Sequence, residues 1–431
     1  MLFKQFEGIT KRSRIASLVA VFGAIFAVAC TENLDAGKSC PLLCPEQAIT
    51  LADTTIDAVV SDTTVLGLPP IGNELYLMLS NHGDTVDSRA IIRFDTLPQT
   101  YTKSSIDSTI ANIDSAFIVA PIRRDTLAPA RTAPVTVEVY NVDTTDSDTS
   151  AAVLGSLFRR DRFIGSRTFA PESILDTLRI PISTDTVLDR VLKGTRLRVG
   201  LRVLSSVGVD LELGTTAVAN AVSLRFNASK DTAAPAVSVS PRSGTPADLP
   251  FLSGPLADYT IVLKGGTTTP PTKLAVGGIP SRRVFLHFDV PSGIVDSTTV
   301  VRASLLLTQV PNRRVGIHDS VYVYPLAVLA GPIITDVGSA LGFLGPTGQF
   351  GLDSLRFAPG DSGVRSFEIV GLVRTWKGQA TTVSPRSVAL RSGAEGQLPG
   401  EIDFFSTRGP VGVRPRLRIT YVPKTNYGLP R

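Results

Sequence analysis

Side chains able to do covalent or metal chemistry are scarce in this 431-residue chain: three His and three Cys, against 38 acidic and 43 basic residues. His82, His287 and His318 stand far apart, and neither H-E-x-x-H nor a G-x-S-x-G elbow is present, so two familiar signatures of hydrolytic centres are missing. The acidic run Asp143, Asp146 and Asp148 lacks the glycine and terminal glutamate of an EF-hand loop. Calcium needs about six to eight well-placed oxygens, and the run reads as a turn. Five Gly between Gly338 and Gly351 come without G-K-[ST] and make no phosphate cradle. No catalytic residue, metal or cofactor is expected. The carboxylate pair of a glycosidase is defined by separation in space, and with 28 Asp a pair close in sequence decides nothing.

Arginine is the other chemical resource. Clusters occur at Arg123-Arg124, at Arg159, Arg160 and Arg162, at Arg282-Arg283, and at Arg313-Arg314. Guanidinium forks match the carboxylates and sulfates of anionic polysaccharides; the competing reading is a solvated, lysine-poor surface. Arg159, Arg160, Arg162, Arg313, Arg314 and Tyr259 are the candidate sugar contacts. Trp376, the only Trp, follows Val370 and Val373 at helical spacing, which marks a buried face rather than a sugar platform. The basic clusters carry no nucleic-acid motif, and nucleic acid is not an expected partner.

The first 29 residues indicate an address. Lys4, Lys11, Arg12 and Arg14 precede an uncharged apolar run from Ile15 to Val28, the length of a signal-peptide core and short for a membrane span. The run ends in Ala27-Val28-Ala29-Cys30. This resembles the lipobox of bacterial lipoproteins, in which Cys30 would be lipidated and several acyl chains would give stable membrane anchoring. A plain secretion signal cut near Ala29, or an uncleaved anchor, remains the alternative. Thr31 after the Cys goes with outer-membrane sorting in the enterobacterial pattern. Cys40 and Cys44 could close a small disulfide loop, or each could pair with another chain. Residues 1–29 are thus expected to be a signal peptide and residues 30–47 a tether. Removing the leader takes away four cations and one anion, so the net charge falls from +5 to +2.

These residues need a scaffold, and the scaffold is duplicated. LADTTI at Leu51–Ile56 matches LADYTI at Leu256–Ile261, and RAIIRFD at Arg89–Asp95 matches RVFLHFD at Arg283–Asp289. DSAFIV at Asp114–Val119 matches RASLLL at Arg302–Leu307, and VEVYNV at Val137–Val142 matches VYVYPL at Val321–Leu326. VLKG at Val191–Gly194 matches TWKG at Thr375–Gly378, and VSLRF at Val222–Phe226 matches PRLRI at Pro415–Ile419. Most of these segments are β-branched or alternating and bounded by Gly, Pro and Asp-Ser clusters, the signature of strands. Few Glu and Lys, with 36 Gly and 30 Pro, also argue for an all-β protein with many turns. A short helix is expected before each Lys-Gly: Thr184 or Asp185 caps the first, with Val187, Leu188, Val191 and Leu192 as its apolar set and Gly194 as its stop. The expected domains are residues 48–228 and 251–423, joined by a linker at 229–250 in which Val237 and Val239 could add a strand, with a tail at 424–431. The expected fold is two tandem jelly-roll-like antiparallel β-sandwiches.

The second copy contains ADYTI, LAVGG, RRVFLHFDVP, VRASLLL, FEIVGLVRTWKG, VALRSG, FFSTRGP and PRLRITY in order. This order resembles the DNRLRE-type, or disaggregatase-related, β-sandwich module of bacterial and archaeal surface proteins, which is similar to carbohydrate-binding modules. The resemblance spans Leu256 to Val422 closely and Leu51 to Asn227 more loosely. It implies a jelly roll and a glycan ligand. The expectation is a non-catalytic, lipid-anchored envelope protein at the outer membrane that binds or organises extracellular polysaccharide. A structural or adhesive spacer contacting envelope proteins is the alternative, and a polysaccharide lyase or hydrolase the weakest reading.

Overall fold

The computed structural model describes residues 51–123, 131–146, 149–228, 235–242, 256–265, 268–314, 316–328, 334, 336–342, 353–378 and 386–423. The signal and tether readings, including Cys30, Cys40 and Cys44, and the tail at 424–431 lie outside these residues. Within Leu51–Arg431 the described chain is one compact unit of antiparallel strands with a few short helices.

The strands begin with β1 (Ala52–Ile56), β2 (Val59–Leu68), β3 (Tyr76–Asn81), β4 (Asp87–Phe94), β5 (Thr100–Lys103) and β6 (Ile106–Thr109). Next come β7 (Ser115–Pro121), β8 (Val135–Asn141), β9 (Phe163–Phe169), β10 (Thr177–Pro181), β11 (Leu197–Ser205), β12 (Val209–Gly214) and β13 (Ser223–Asn227). The middle of the chain supplies β14 (Val237–Val239), β15 (Asp258–Lys264), β16 (Lys273–Gly277), β17 (Ser281–Phe288) and β18 (Thr298–Val310). The last are β19 (Val321–Ala327), β20 (Leu355–Phe357), β21 (Gly363–Glu368), β22 (Ser387–Ser392), β23 (Glu401–Phe405) and β24 (Arg416–Pro423).

Two lobes emerge with the same strand order. In the first, one sheet runs β10-β7-β13-β14 and the other β12-β3-β4-β11-β8-β9, with β15 added beside β4. In the second, β21-β18-β24-β1 answers the former, and β23-β16-β17-β22-β19-β20, with β2 added beside β17, answers the latter. The long β18 also pairs with β23, joining the two sheets of the second lobe at a corner. Each lobe is an all-β sandwich with its own core. Inward positions such as Ile92, Ile118, Val137, Leu201 and Leu224 fill the first, and Leu286, Leu305, Val323, Leu390 and Leu417 fill the second. β7 shows why: its Ala116, Ile118 and Ala120 are buried and its alternate residues are not, the period of a half-buried strand.

The closing strands come from the other repeat. β1 and β2, at the start of the first copy, pair with β24 and β17 of the second lobe. β14 and β15, at the start of the second copy, pair with β13 and β4 of the first. The packed lobes therefore do not divide where the repeat does. Residues expected to be a linker include β14, and the strand expected to open the second domain lies in the first lobe.

The register also corrects two of the repeat matches. Asp258 and Thr260 sit opposite Ile92 and Ala90, whereas Asp62 and Thr64 sit opposite Leu286 and Val284. The partner of Asp258-Tyr259-Thr260-Ile261 is thus Asp62-Thr63-Thr64-Val65, not the Asp-Thr-Thr of Leu51–Ile56. Their hydrogen bonds agree: the Met78 amide donates to Thr260 Oγ1 (3.0 Å) and the Ala275 amide to Thr64 Oγ1 (3.3 Å). The Thr216 amide donates to Asp258 Oδ2 (2.8 Å) and the Thr407 amide to Asp62 Oδ2 (2.6 Å). Likewise Leu224 lies beside Ile118 and Leu417 beside Leu305. Ile118, rather than Phe117, is the equivalent of Leu305, and a slip of one residue reverses which face each side chain occupies.

The helices are α1 (Ala151–Gly155), α2 (Thr184–Lys193), α3 (Ser292–Val295), α4 (Val337–Gly342) and α5 (Val370–Thr375). α2 is capped one residue earlier than expected, by Ser183, whose hydroxyl accepts from the Thr186 amide (3.2 Å), and it stops at left-handed Gly194. Val187 and Val191 are buried, but Leu192 faces solvent. Trp376, at the end of α5, is 1% exposed and packs on Phe288 with ring centroids 5.4 Å apart. Trp376→Ala should cost the second lobe about 3–5 kcal/mol. Urea unfolding followed by circular dichroism should show the loss; an unchanged midpoint would place the indole outside the load-carrying core.

Candidate functional site

Near the end of β18, the chain turns through Pro311-Asn312-Arg313-Arg314 beside β16 and β23 of the second lobe. Together with Thr268, Thr269, Pro270, Lys273, Glu401 and Asp403 this turn lines a polar cleft of about 150 Å³. Glu401 and Asp403 are two apart on β23, so they share one face. Both are already held. Lys273 Nζ donates to Asp403 Oδ2 at 3.1 Å. Glu401 accepts from Arg282 Nη1 and from Asn312 Nδ2, the latter at 3.3 Å. Asn312 Oδ1 in turn accepts from the Arg314 amide (3.2 Å), fixing the turn. Asp403 Oδ1 has no hydrogen-bond partner among the described residues, an orphan acceptor in the wall of the cleft. Burial pushes the Arg282 guanidinium down to about 10; Asp403 opposes that shift and Arg314 adds to it. Three cations and two carboxylates line the cleft, with Arg282 beneath, so its field favours an anionic group.

The six candidate sugar contacts divide three ways. Arg313 and Arg314 are exposed in this cleft. Arg159, Arg160 and Arg162 lie in the first lobe, on the turn between α1 and β9. There Arg159 is paired with Asp161 at 3.0 Å. Arg162 is half-buried and donates to the backbone carbonyl of Asp143 at 2.7 Å, so it serves the loop. Arg160 is exposed. Tyr259 is a correction: it is fully buried in β15, clustered with Ile91, Tyr140, Leu154 and Leu157, and has no face to offer a sugar. Its position in the outer layer of the sheet, covered by α1, was not visible in strand alternation. Lys273, Asn312, Glu401 and Asp403 were missed, although the alternation in Glu401-Ile402-Asp403 places two acids on one strand face.

Ser80, His82 and Asp210 also come together. His82 Nε2 lies 2.9 Å from Asp210 Oδ2, and Ser80 Oγ donates to Asp210 Oδ1. The hydrogen bond to Asp210 raises the His82 pKa, against burial. The carboxylate stands between the hydroxyl and the imidazole, and Ser80 is fully buried. This order differs from a nucleophile-base-acid relay, in which the base touches the nucleophile. His287 bonds Ser387 Oγ at 2.9 Å, and burial lowers its pKa. Among the described residues no group of three His, Cys, Asp or Glu is arranged to hold a metal, and no helix is long and apolar enough to cross a membrane.

No protein-family model matches the chain, and no curated protein does. Among solved structures it is similar to a peptide-N(4)-(N-acetyl-β-D-glucosaminyl) asparagine amidase at 9% identity and a TM-score of 0.17, with 87% of this chain and 97% of that chain covered. It is also similar to the infectious bursal disease virus VP2 subviral particle at 9% identity and a TM-score of 0.13, with 86% and 78% covered. Neither superposition is close enough to carry an inference about activity.

Proposed function

We propose that this chain is a lipid-anchored envelope protein, attached through Cys30 at the outer membrane, whose two lobes bind or organise extracellular polysaccharide without cleaving it. The likeness of Leu256–Val422 to DNRLRE-type modules belongs to the same proposal. The observation that carries it is the cleft at Arg313 and Arg314, where the cations outnumber the carboxylates. Such a site suits the carboxylate or sulfate of an acidic sugar, with Thr268, Thr269 and Asn312 available to its hydroxyls. A shallow site of this size binds weakly, and two lobes on one chain raise the net affinity if both engage the same polymer.

The test is affinity electrophoresis of the full chain, with glycan-array binding in parallel. Acidic polysaccharides should retard the wild type. Arg313→Ala with Arg314→Ala should weaken that binding about tenfold, equivalent to about 1.4 kcal/mol, with neutral polymers unaffected. Absence of binding to any acidic or neutral polysaccharide overturns the reading. Stable protein partners recovered with the intact anchor, independent of glycan, would replace it with the spacer.

A further inference from the structure

The outer face of β10-β7-β13-β14 differs from its counterpart in the second lobe in the charge compensation of a matched arginine. In the second lobe Arg418 of β24 donates through Nε and Nη2 to Asp53 of β1, and Thr420 Oγ1 joins the same carboxylate (3.1 Å). Arg302 donates to Glu368 of β21 at 2.9 Å, and Ser304 Oγ donates to it at 3.1 Å. Arg418 and Arg302 each have an acid there, whereas Arg416, on the same face of β24, forms no ion pair among the described residues. In the first lobe the equivalent of Arg418 is Arg225, because Leu224 and Leu417 occupy matching registers. Arg225 lies beside Phe117, and Phe117 lies beside Pro181, so Pro181 stands where the second lobe has Glu368. Opposite Arg225 on β14 is Ser238. Arg179 lies two residues from Pro181 on the same face, with its guanidinium 4.6 Å from the Phe117 ring centroid. Both Arg179 and Arg225 are exposed. Neither forms an ion pair among the described residues. The other outward strand positions are Ser115, Val119, Pro121, Thr177, Ser223 and Asn227, none of them acidic.

We infer that this face is a second binding platform, for an acidic polysaccharide chain lying across the strands. The inference rests on the polysaccharide reading above and gives it a new site. β10 and β13 flank β7, so the backbones that carry Arg179 and Arg225 are two strands apart, roughly 10 Å at about 4.8 Å per strand. Two cations rooted on strands that flank a third suit a polymer crossing the strands with a charge on successive units. Hydroxyl and amide side chains around the cations, among them Ser223, Asn227 and Ser238, match sugar hydroxyls. The one aromatic ring is covered by Arg179, so the face has no apolar wedge to bury in a lipid surface.

The experiment uses the full chain in gels containing a polyuronate, a sulfated glycan or a neutral glucan. Arg179→Ala with Arg225→Ala should reduce retardation by at least about fivefold in one or both acidic gels, with the neutral gel unchanged. Arg179→Lys with Arg225→Lys should recover part of it, and the melting temperature should match the wild type because both side chains are exposed. Arg313→Ala with Arg314→Ala should leave this contribution in place, and the four-residue variant should bind more weakly than either pair alone. A wild type retarded by acidic polymer, with the Arg179/Arg225 variant equally retarded, overturns the platform and spares the cleft. A wild type retarded by no polymer overturns both. Binding to phosphatidylserine vesicles lost in this variant, with polymer binding intact, also overturns it.

Discussion

A fragment covering residues 70–264 is expected to fold cooperatively by itself, whereas one covering residues 48–228, cut at the sequence repeat, is not. The first contains every strand of the first lobe from β3 to β15. The second lacks β14 and β15, leaving one side of β4 unpaired along most of its length. It also loses Leu256, Tyr259 and Ile261, each buried in the cluster with Ile91 and Tyr140. At about 2 kcal/mol per side chain the loss is roughly 6 kcal/mol, comparable with the whole stability of a typical domain, about 5–15 kcal/mol.

The 48–228 fragment still carries β2, whose Asp62 and Thr64 could remake the bonds of Asp258 and Thr260. It cannot replace Tyr259, because Thr63 occupies the equivalent position. The pairs are matched by size: Tyr259 lies beside Ile91, and Thr63 beside Phe285. Putting β2 into the first lobe leaves the space of an aromatic ring unfilled, and cavities of that kind are costly. Circular dichroism and urea unfolding of the two fragments decide the matter. A sharp transition of equal stability in 48–228 would show that the strands are interchangeable. Conversely, residues 268–423 should need a peptide of residues 51–68 to fold, since Ala58, Val59, Val65 and Leu68 are buried against them.

What the sequence discloses here is element type, and what it withholds is partnership. Arg89–Asp95 and Arg283–Asp289 read as buried central strands because their apolar residues run together, and β4 and β17 are both almost wholly buried. Val237 and Val239 were readable only as an optional strand within an expected linker, and they form β14. The exchange was not legible, because a β-ladder is made of backbone bonds that any extended segment can supply. Asp53-Thr54-Thr55 and Asp62-Thr63-Thr64 are identical triplets nine residues apart; only the register shows which one answers Asp258-Tyr259-Thr260. The same limit applies to the candidate sites. Arg313 and Arg314 were visible as a basic pair, but Lys273 reaches them only through the pairing of β16 with β23. Arg225 and Arg418 align in sequence; Asp53, which neutralises the second and not the first, comes from 365 residues away.

Stability of the first lobe should fall as pH rises from about 4.5 to 7, and Glu74→Gln should remove that component. Glu74 lies on the segment that carries the chain from β2 in one lobe to β3 in the other. It is 7% exposed. Its carboxylate accepts from the Gly72 amide (2.5 Å) and from the Thr260 amide of β15 (3.4 Å), and the Thr215 hydroxyl donates to its backbone carbonyl (3.0 Å). The crossing segment and the closing strand are therefore pinned at one carboxyl group. Burial pushes its pKa up from 4.5 to about 7, with Asp258 adding to the rise and the amides of Thr260 and Gly72 opposing it. A raised pKa means that the folded state binds the proton more tightly than the unfolded state. The resulting stabilisation is complete below about 4.5 and is lost as pH passes through 7. A rise of about 2.5 units corresponds to about 3 kcal/mol. Asp258, whose pKa burial also raises, acts with the same sign. A glutamine has the shape of the protonated acid and no charge, but its amide nitrogen cannot accept, so only one of the two backbone amides keeps its acceptor. Glu74→Gln should therefore lose one of those hydrogen bonds at every pH, while its stability relative to the wild type rises by about 3 kcal/mol between pH 4.5 and pH 8. Taking the difference between the two proteins cancels the acid titration of carboxylates elsewhere. Urea unfolding of the 70–264 fragment across this range is the measurement. Parallel stability curves for the two proteins would mean that Glu74 ionises in the folded lobe as it does in water, and that the joint between crossing segment and closing strand is wet.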